Sequence, residues 1–266
     1  MVELKIIKAT LGYNHSPVLR EIDLEVFPGE LVGLIGPNGC GKSTVIKALS
    51  HVINLISGRI TVGGQDITSI PRRKLACLVG VVPQLPLLPS TFTAFEIVLM
   101  GRNPHLGLFQ SEGPRDRSLA YEAMEKTATV SLANRHVNEL SGGEIQSLLI
   151  ARVLVQETQA ILLDEPTANL DIGRQIDILD LMRRLCTENK ITALAALHDL
   201  NLASQYCDRL VLINKGRVHA EGVPSEVITN ANVKEVYGAE NCVYTHPVNG
   251  LPTILVSPRR AKSNKD

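Results

Sequence analysis

Aromatic side chains are the scarcest class in this sequence: no tryptophan, five tyrosines and four phenylalanines, nine rings in 266 residues. That argues against a single-stranded nucleic-acid binder built on rows of stacking platforms, and against a membrane protein with aromatic belts. Net charge is also missing, with 27 Lys and Arg against 27 Asp and Glu, so no overall field draws the chain to nucleic acid or an anionic lipid surface. No apolar run approaches the roughly 18–20 residues of a spanning helix. The longest, Leu75 to Pro83, is interrupted by Gly80 and closed by proline. The N-terminus alternates charge with apolar residues and lacks the layout of a signal peptide, so a cytoplasmic protein is expected. Five cysteines, at 40, 77, 186, 207 and 242, form an odd set without a CxxC pair, and no histidine cluster has metal-ligand spacing. Neither a disulfide framework nor a zinc site is indicated.

What is present is an ordinary globular composition, 44% hydrophobic and 20% charged. Val2, Leu4 and Ile6 alternate, as do Ile22, Leu24 and Val26, which predicts two half-buried strands around a turn-rich loop from Gly12 to Pro17. The apolar run Leu31–Ile35 has the form of a buried parallel strand and leads into Gly36-Pro37-Asn38-Gly39-Cys40-Gly41-Lys42-Ser43-Thr44, then a helical stretch to about Ser50. Gly63-Gly64 marks a hairpin, and a strand is expected over 78–82. From 91 to about 155 the pattern is helical. One helix over 115–130 places Leu119, Ala120, Ala123, Met124 and Ala128 on one face, and another carries Ile145, Leu148, Leu149 and Val153. Strands at 160–163, 191–197 and 210–213 then alternate with helices at 172–185 and 200–206, the pattern of a parallel α/β sheet with right-handed crossovers. The last eight residues hold four basic side chains and one acid, the composition of a disordered tail.

Two motifs carry chemistry. The GxxxxGK[ST] pattern at Gly36 to Ser43, between a strand and a helix, is a phosphate loop: its glycines let backbone N–H groups form an anion nest at a helix N-terminus. Lys42 would bridge the β- and γ-phosphates, and Ser43 would offer its hydroxyl to Mg²⁺. The run Ile161-Leu162-Leu163-Asp164-Glu165 ends a buried strand on two adjacent carboxylates, which face different ways. Asp164 can serve Mg²⁺ while Glu165 orients the water that attacks the γ-phosphate. Cys40 lies inside the loop, near a helix N-terminus and Lys42, both of which lower a thiol pKa. Alkylation there is expected to block ATP binding.

Between these motifs stands Leu140-Ser141-Gly142-Gly143-Glu144, which resembles the signature of ABC-type ATPases. With Gln84 after a strand, Asp171 in Ala168-Asn169-Leu170-Asp171, and His198 after the strand at 191–197, the ABC motifs occur in their expected order over about residues 2–240. The resemblance implies an α/β fold with a P-loop (RecA-like) core, an N-terminal antiparallel β subdomain and a helical insert. One domain is expected over 1–257, with the core at about 1–90 and 157–240, the helical subdomain at about 91–156 and a C-terminal extension at 241–257, before a flexible tail at 258–266. It further implies a head-to-tail dimer in which Ser141, Gly142 and Gly143 of one copy meet the nucleotide bound by the other. Tyr13 would stack on adenine, His198 hold the γ-phosphate and help orient Glu165, Gln84 reach Mg²⁺ or the water, and Asp171 communicate across the dimer. Such ATPases often carry a basic residue shortly after the signature glycines, where this chain has Ile145 and Ser147 around Gln146, implying a less positive surface there.

Two further stretches resemble the importer ATPases for ferric siderophores, haem and cobalamin or related corrinoids: Ile97 to His105, and His198-Asp199-Leu200-Asn201-Leu202-Ala203 continuing to Asp208. Gly222 to Val227 followed by Val236-Tyr237 is similar to the same group. That resemblance implies a subunit at the cytoplasmic face of the membrane, bound to transmembrane permease subunits, indirectly to a substrate-binding protein, and to no nucleic acid. Competing readings are a soluble ABC ATPase that scaffolds assembly without transport, and an importer for another metal or an oxyanion. A GTPase fits poorly, since Asn214-Lys215-Gly216-Arg217 lacks the aspartate that guanine recognition needs.

Overall fold

A computed structural model describes residues 1–84, 87–107, 110–168, 170–239 and 242–256. The chain opens on a long antiparallel pair, β1 (Leu4–Tyr13) and β2 (Ser16–Val26), in which Tyr13 pairs with Ser16. The turn is therefore shorter than the glycine and proline content predicts. Asn14 and His15 both adopt positive φ (47° and 61°), the two-residue geometry that matches strand twist, and Asn tolerates it. β3 (Leu31–Ile35) and α1 (Lys42–Leu49) follow, then β4 (Leu55–Val62) and β5 (Gln65–Asp66), joined over Gly63-Gly64 as expected. β1, β2, β4 and β5 form a four-stranded antiparallel sheet.

α2 (Arg72–Leu78) runs straight into β6 (Val79–Val82), so the apolar run at 75–83 is divided between a helix and a strand. Three helices come next: α3 (Ala94–Leu99), α4 (Pro114–Lys126) and α5 (Gly142–Val155). α4 ends earlier than its apolar pattern predicts. Ala128 takes φ 53° and the Thr129 N–H bonds back to the Met124 carbonyl at 2.8 Å, which turns the chain before Ala128 can join the helical face.

The remainder alternates: β7 (Ala160–Asp164), α6 (Ile172–Asn189), β8 (Thr192–Ala196), α7 (Leu200–Tyr206), β9 (Arg209–Asn214) and β10 (Arg217–Gly222). α8 (Pro224–Val227), α9 (Asn230–Tyr237) and a small hairpin of β11 (Val243–Thr245) and β12 (Pro252–Ile254) close the described chain. The second sheet has the order β10-β9-β3-β8-β7-β6 and is parallel except for β10 at its edge. The basic segment at 259–266 lies outside the described residues.

Successive residues of a strand face opposite sides of the sheet, so each buried strand feeds two cores. Val32 and Leu34 join Leu162 and the antiparallel sheet on one side, whereas Leu31 and Ile35 join Ile161, Leu163 and α6 on the other. The helices between β6 and β7 have a third core of their own, built on Ala94, Ile97, Val98, Ala120, Ala123 and Met124. α5 belongs to two cores: Leu149, Ile150 and Val153 pack with the sheet, and Leu148, Ala151 and Val155 with the helices. An all-round apolar helix of this kind is a rigid link between two packed bodies.

Candidate active site

The phosphate loop lies between the end of β3 and the start of α1, beside the carboxyl end of β7, which carries Asp164 and Glu165. Gly36 and Gly41 have φ of 145° and 115°, and a Cβ on Gly36 would come within 2.2 Å of the Ile213 carbonyl oxygen. No side chain caps α1, and no acid occupies its first turn. Its orphan N–H groups and the positive end of its dipole are thus available to an anion. Lys42 is buried, and its ammonium donates to the carbonyls of Gly36 (2.7 Å) and Pro37 (3.2 Å), its own loop.

Across the loop, the Ser43 hydroxyl donates to Asp164 Oδ1 at 2.8 Å. Burial pushes the Asp164 carboxyl up from the ordinary aspartate range, and neighbouring Glu165 adds to this; the Ser43 hydrogen bond opposes it. Glu165 is held at both oxygens: the Gln84 side-chain amide donates to Oε2 and His198 Nε2 meets Oε1. Its backbone has φ 54° and its N–H bonds the Ala196 carbonyl oxygen at 3.2 Å. A cavity of about 460 Å³ gathers Tyr13, Asn38, Gly39, Gly41, Lys42, Ser43, Thr44, Gln84, Glu165 and His198. Tyr13 is 41% exposed, with Lys47 Nζ 5.7 Å from its ring centroid, so the ring face already attracts a cation.

Ser141, Gly142, Gly143 and Asp171 do not line this cavity. Ser141 caps α5 in a reciprocal pair with Glu144: the Ser141 N–H donates to Glu144 Oε2 at 2.7 Å and the Glu144 N–H to Ser141 Oγ. A Cβ on Gly142 would meet nothing within 4 Å, while one on Gly143 would come within 3.2 Å of the Leu170 side chain. Asp171 is exposed and caps α6 through the Arg174 N–H at 2.9 Å. The signature backbone is thus open on one side and in contact with the Asp171 segment on the other.

Over most of its length the fold superposes on known cassettes, and the phosphate loop, Gln84, Glu165 and His198 converge on one cavity. Residues 19–168 match the family model described as ABC transporter. The chain belongs to that family. Its activity is accordingly ATP hydrolysis, performed by an ABC cassette. It is 37% identical over 254 residues to the ferric enterobactin transport ATP-binding protein of Escherichia coli, covering 96% of this chain and 94% of that one. It is 41% identical over 246 residues to the hemin import ATP-binding protein of Gloeobacter violaceus, covering 90% and 88%. A cobalamin import ATP-binding protein of Halobacterium salinarum is 37% identical over 249 residues, which is 94% of this chain but 62% of that longer protein. Among solved structures, a dimeric bacterial ABC transporter cassette has a TM-score of 0.75 at 27% identity, over 83% of this cassette and 98% of that chain.

One sequence expectation needs correction. Cys40 is buried, and burial raises its thiol pKa despite the Lys42 charge beside it. The helix N-terminus and Lys42 are outweighed by desolvation. The thiol is therefore held toward its neutral form rather than activated. Iodoacetamide at neutral pH should label Cys77, the least buried of the five, well before Cys40; equal rates in a peptide-mapped time course would contradict this. Ser147 is buried and accepts a hydrogen bond from Arg174 Nη1 at 3.4 Å, which brings a guanidinium of α6 beside the segment after the signature. The stretch at 97–105 has a structural role: Arg102 is buried and pairs with Asp116 (2.8 Å), Glu157 (2.7 Å) and the Val155 carbonyl (2.9 Å), tying α4 to the end of α5.

Sequence reasoning singled out Tyr237 as part of a family pattern and gave it no role. It ends α9, where its hydroxyl lies close to the Gly36 backbone and Cys40 of the phosphate loop; burial pushes its pKa upward. Its signal was one tyrosine before a helix-ending glycine. The contact depends on tertiary folding.

Proposed function

We propose that this cassette is the ATP-hydrolysing subunit of an importer for an iron–siderophore, haem or cobalamin-type substrate. It works as a head-to-tail dimer on transmembrane permease subunits at the cytoplasmic face of the membrane, with a substrate-binding protein upstream. The observation that carries this reading is the extent of the likeness to the ferric enterobactin protein, 96% of this chain against 94% of that one. It runs through the helices between β6 and β7 and through the C-terminal elements, beyond residues 19–168 of the general family match. Among the described residues no helix is long and apolar enough to cross a membrane, in keeping with a subunit that docks on separate permeases.

The proposed chemistry follows from the site. Backbone N–H groups from Gly36 to Thr44 and the Lys42 ammonium hold the phosphates, and Tyr13 stacks on the base. Ser43 Oγ and Asp164 Oδ1, hard oxygens 2.8 Å apart, fit Mg²⁺, as does Gln84 Oε1, since its amide nitrogen is engaged with Glu165. When bound, Mg²⁺ neutralises phosphate charge. Glu165 accepts the proton of the attacking water as its oxygen bonds the γ-phosphorus and the bond to the β-phosphate oxygen breaks, while His198 holds the carboxylate in place and contacts the γ-phosphate. Ser141, Gly142 and Gly143 of the second copy complete the γ-phosphate shell, and Asp171 relays closure between the copies. ATP thereby binds the closed dimer better than the open one and shifts the population toward it.

Uptake decides the substrate. In a strain deleted for this cassette, labelled ferric siderophore, haem and cobalamin are offered in turn. Loss of uptake of one of them, restored by the intact chain, is the expected result. Undiminished uptake of all three would remove the substrate class.

A further inference from the structure

Of the stretch from His198 to Asp208, only His198 lines the nucleotide cavity. Its backbone has an anchor on each side. Before it, the Leu197 N–H donates to the Leu34 carbonyl of β3 at 2.9 Å. After it, Asp199 caps α7 by accepting from the N–H groups of Asn201 (2.7 Å) and Leu202 (3.1 Å). The aim of the imidazole at Glu165 is therefore fixed only as well as α7 is fixed. α7 is seven residues long, and of these Ala203 and Ser204 alone are buried. A helix so short does not hold itself, and two small residues supply little apolar burial to seat it.

The C-terminal hairpin seats it instead. β12 pairs with β11 through Ile254 opposite Val243 and Pro252 opposite Thr245. The Leu255 N–H bonds the Cys242 carbonyl and the His246 N–H the Leu251 carbonyl, so these backbone groups of 251 and 255 face inward. Alternation then turns the backbone groups of Pro252 and Ile254 to the outer edge, which no further strand covers among the described residues. Side chains of α7 cover it. Asn201 Oδ1 accepts from the Ile254 N–H at 2.6 Å and from the Thr253 hydroxyl at 3.2 Å, while Asn201 Nδ2 donates to the Ile254 carbonyl at 3.2 Å. One turn on, the buried Ser204 hydroxyl donates to the Pro252 carbonyl at 2.7 Å. The hairpin is tied in turn to α9, where Asn230 Oδ1 accepts from the Val243 N–H at 3.2 Å.

We propose that Asn201 is a positioning residue for ATP hydrolysis: by pairing with the edge of β12 it holds α7 in place, and through Asp199 it sets His198 against Glu165. The proposal rests on the reading of His198 given above. It gives the C-terminal hairpin a part in the reaction although none of its residues lines the cavity. Asparagine suits the task, because its amide offers an acceptor and a donor to one residue's N–H and carbonyl, as a neighbouring strand would.

The full chain is assayed for phosphate release against ATP concentration, with its thermal midpoint measured alongside. Asn201→Leu is expected to lower kcat about 10- to 100-fold, the cost of a misplaced catalytic group, with KM for ATP little changed because the phosphate loop and Tyr13 are untouched. Asn201→Asp keeps both acceptor contacts and loses the donor, so its kcat should fall between the two. Ser204→Ala frees the Pro252 end of the edge and should lower kcat in the same direction; together with Asn201→Asp it decides the matter if Asn201→Leu does not fold. A cycle with His198 separates positioning from mere support. His198→Gln and the double variant His198→Gln, Asn201→Leu should hydrolyse ATP at the same rate, since Asn201 acts through the imidazole. A folded Asn201→Leu with wild-type kcat would overturn the proposal, and so would a double variant slower than His198→Gln by the whole Asn201→Leu factor. If His198→Gln hydrolyses ATP at the wild-type rate, the reading of His198 itself falls, and this proposal with it. Loss in His198→Gln without loss in Asn201→Leu strikes the hairpin's part alone.

Discussion

Glu165→Gln should retain ATP and lose hydrolysis by about 10²–10⁴-fold, the usual contribution of a positioned base. The amide is nearly isosteric, so packing against Gln84 and His198 is disturbed little, but it cannot take the water's proton. Removing the charge also relieves repulsion toward Asp164 and toward the γ-phosphate, because Glu165 contributes to holding the Asp164 carboxyl up. Closed dimers should therefore accumulate. Sedimentation with MgATP is the direct measurement: a shift from monomer to dimer for the variant, against a transient or absent shift for the wild type. A variant that stays monomeric with bound ATP would contradict nucleotide-driven closure. Hydrolysis near the wild-type rate would assign the base elsewhere.

Arg102→Leu should be the most destabilising single change away from the nucleotide. The guanidinium is buried and satisfies two carboxylates and one backbone carbonyl. Its loss leaves Asp116 Oδ1 and the Val155 carbonyl without the guanidinium donor, and breaking a buried pair by deleting one partner costs about 3–5 kcal/mol. Denaturant titration reads this as a lower midpoint. Gly113 N–H and Arg102 together hold the Asp116 carboxyl below its usual range. A depressed acid stabilises the fold above its unfolded pKa, and that stabilisation is lost as pH falls through the folded-state value. Arg102→Leu should weaken this acid-side dependence as well as lower the plateau. A midpoint within error of the wild type would show the cluster to be dispensable.

These two changes mark where sequence reading was strong and where it was not. The strand, glycine loop and helix at 31–50 were legible because local chemistry dictates them: an apolar run, positive-φ glycines and an uncapped helix start. The pairing of Ser43 with Asp164 could be anticipated from the usual layout of parallel sheets, whose strand ends share one edge. The Arg102 cluster could not, since it joins residues 14 and 55 positions away. Cys40 was misread for a related reason: its neighbours along the chain favour the thiolate, but burial, a tertiary quantity, decides against it. Arg174 and Tyr237 belong to the same class, being side chains whose neighbours Ser147 and Gly36 come from other elements.

The backbone of Glu165 has one more consequence. A glutamate at φ 54° occupies a region that glycine enters freely and that costs other residues of order 1–3 kcal/mol. The backbone cost is thus carried at the residue that holds the carboxylate beside Gln84 and His198. Glu165→Gly would relieve that backbone cost, but at the loss of the contacts with Gln84 and His198 and of the carboxylate itself.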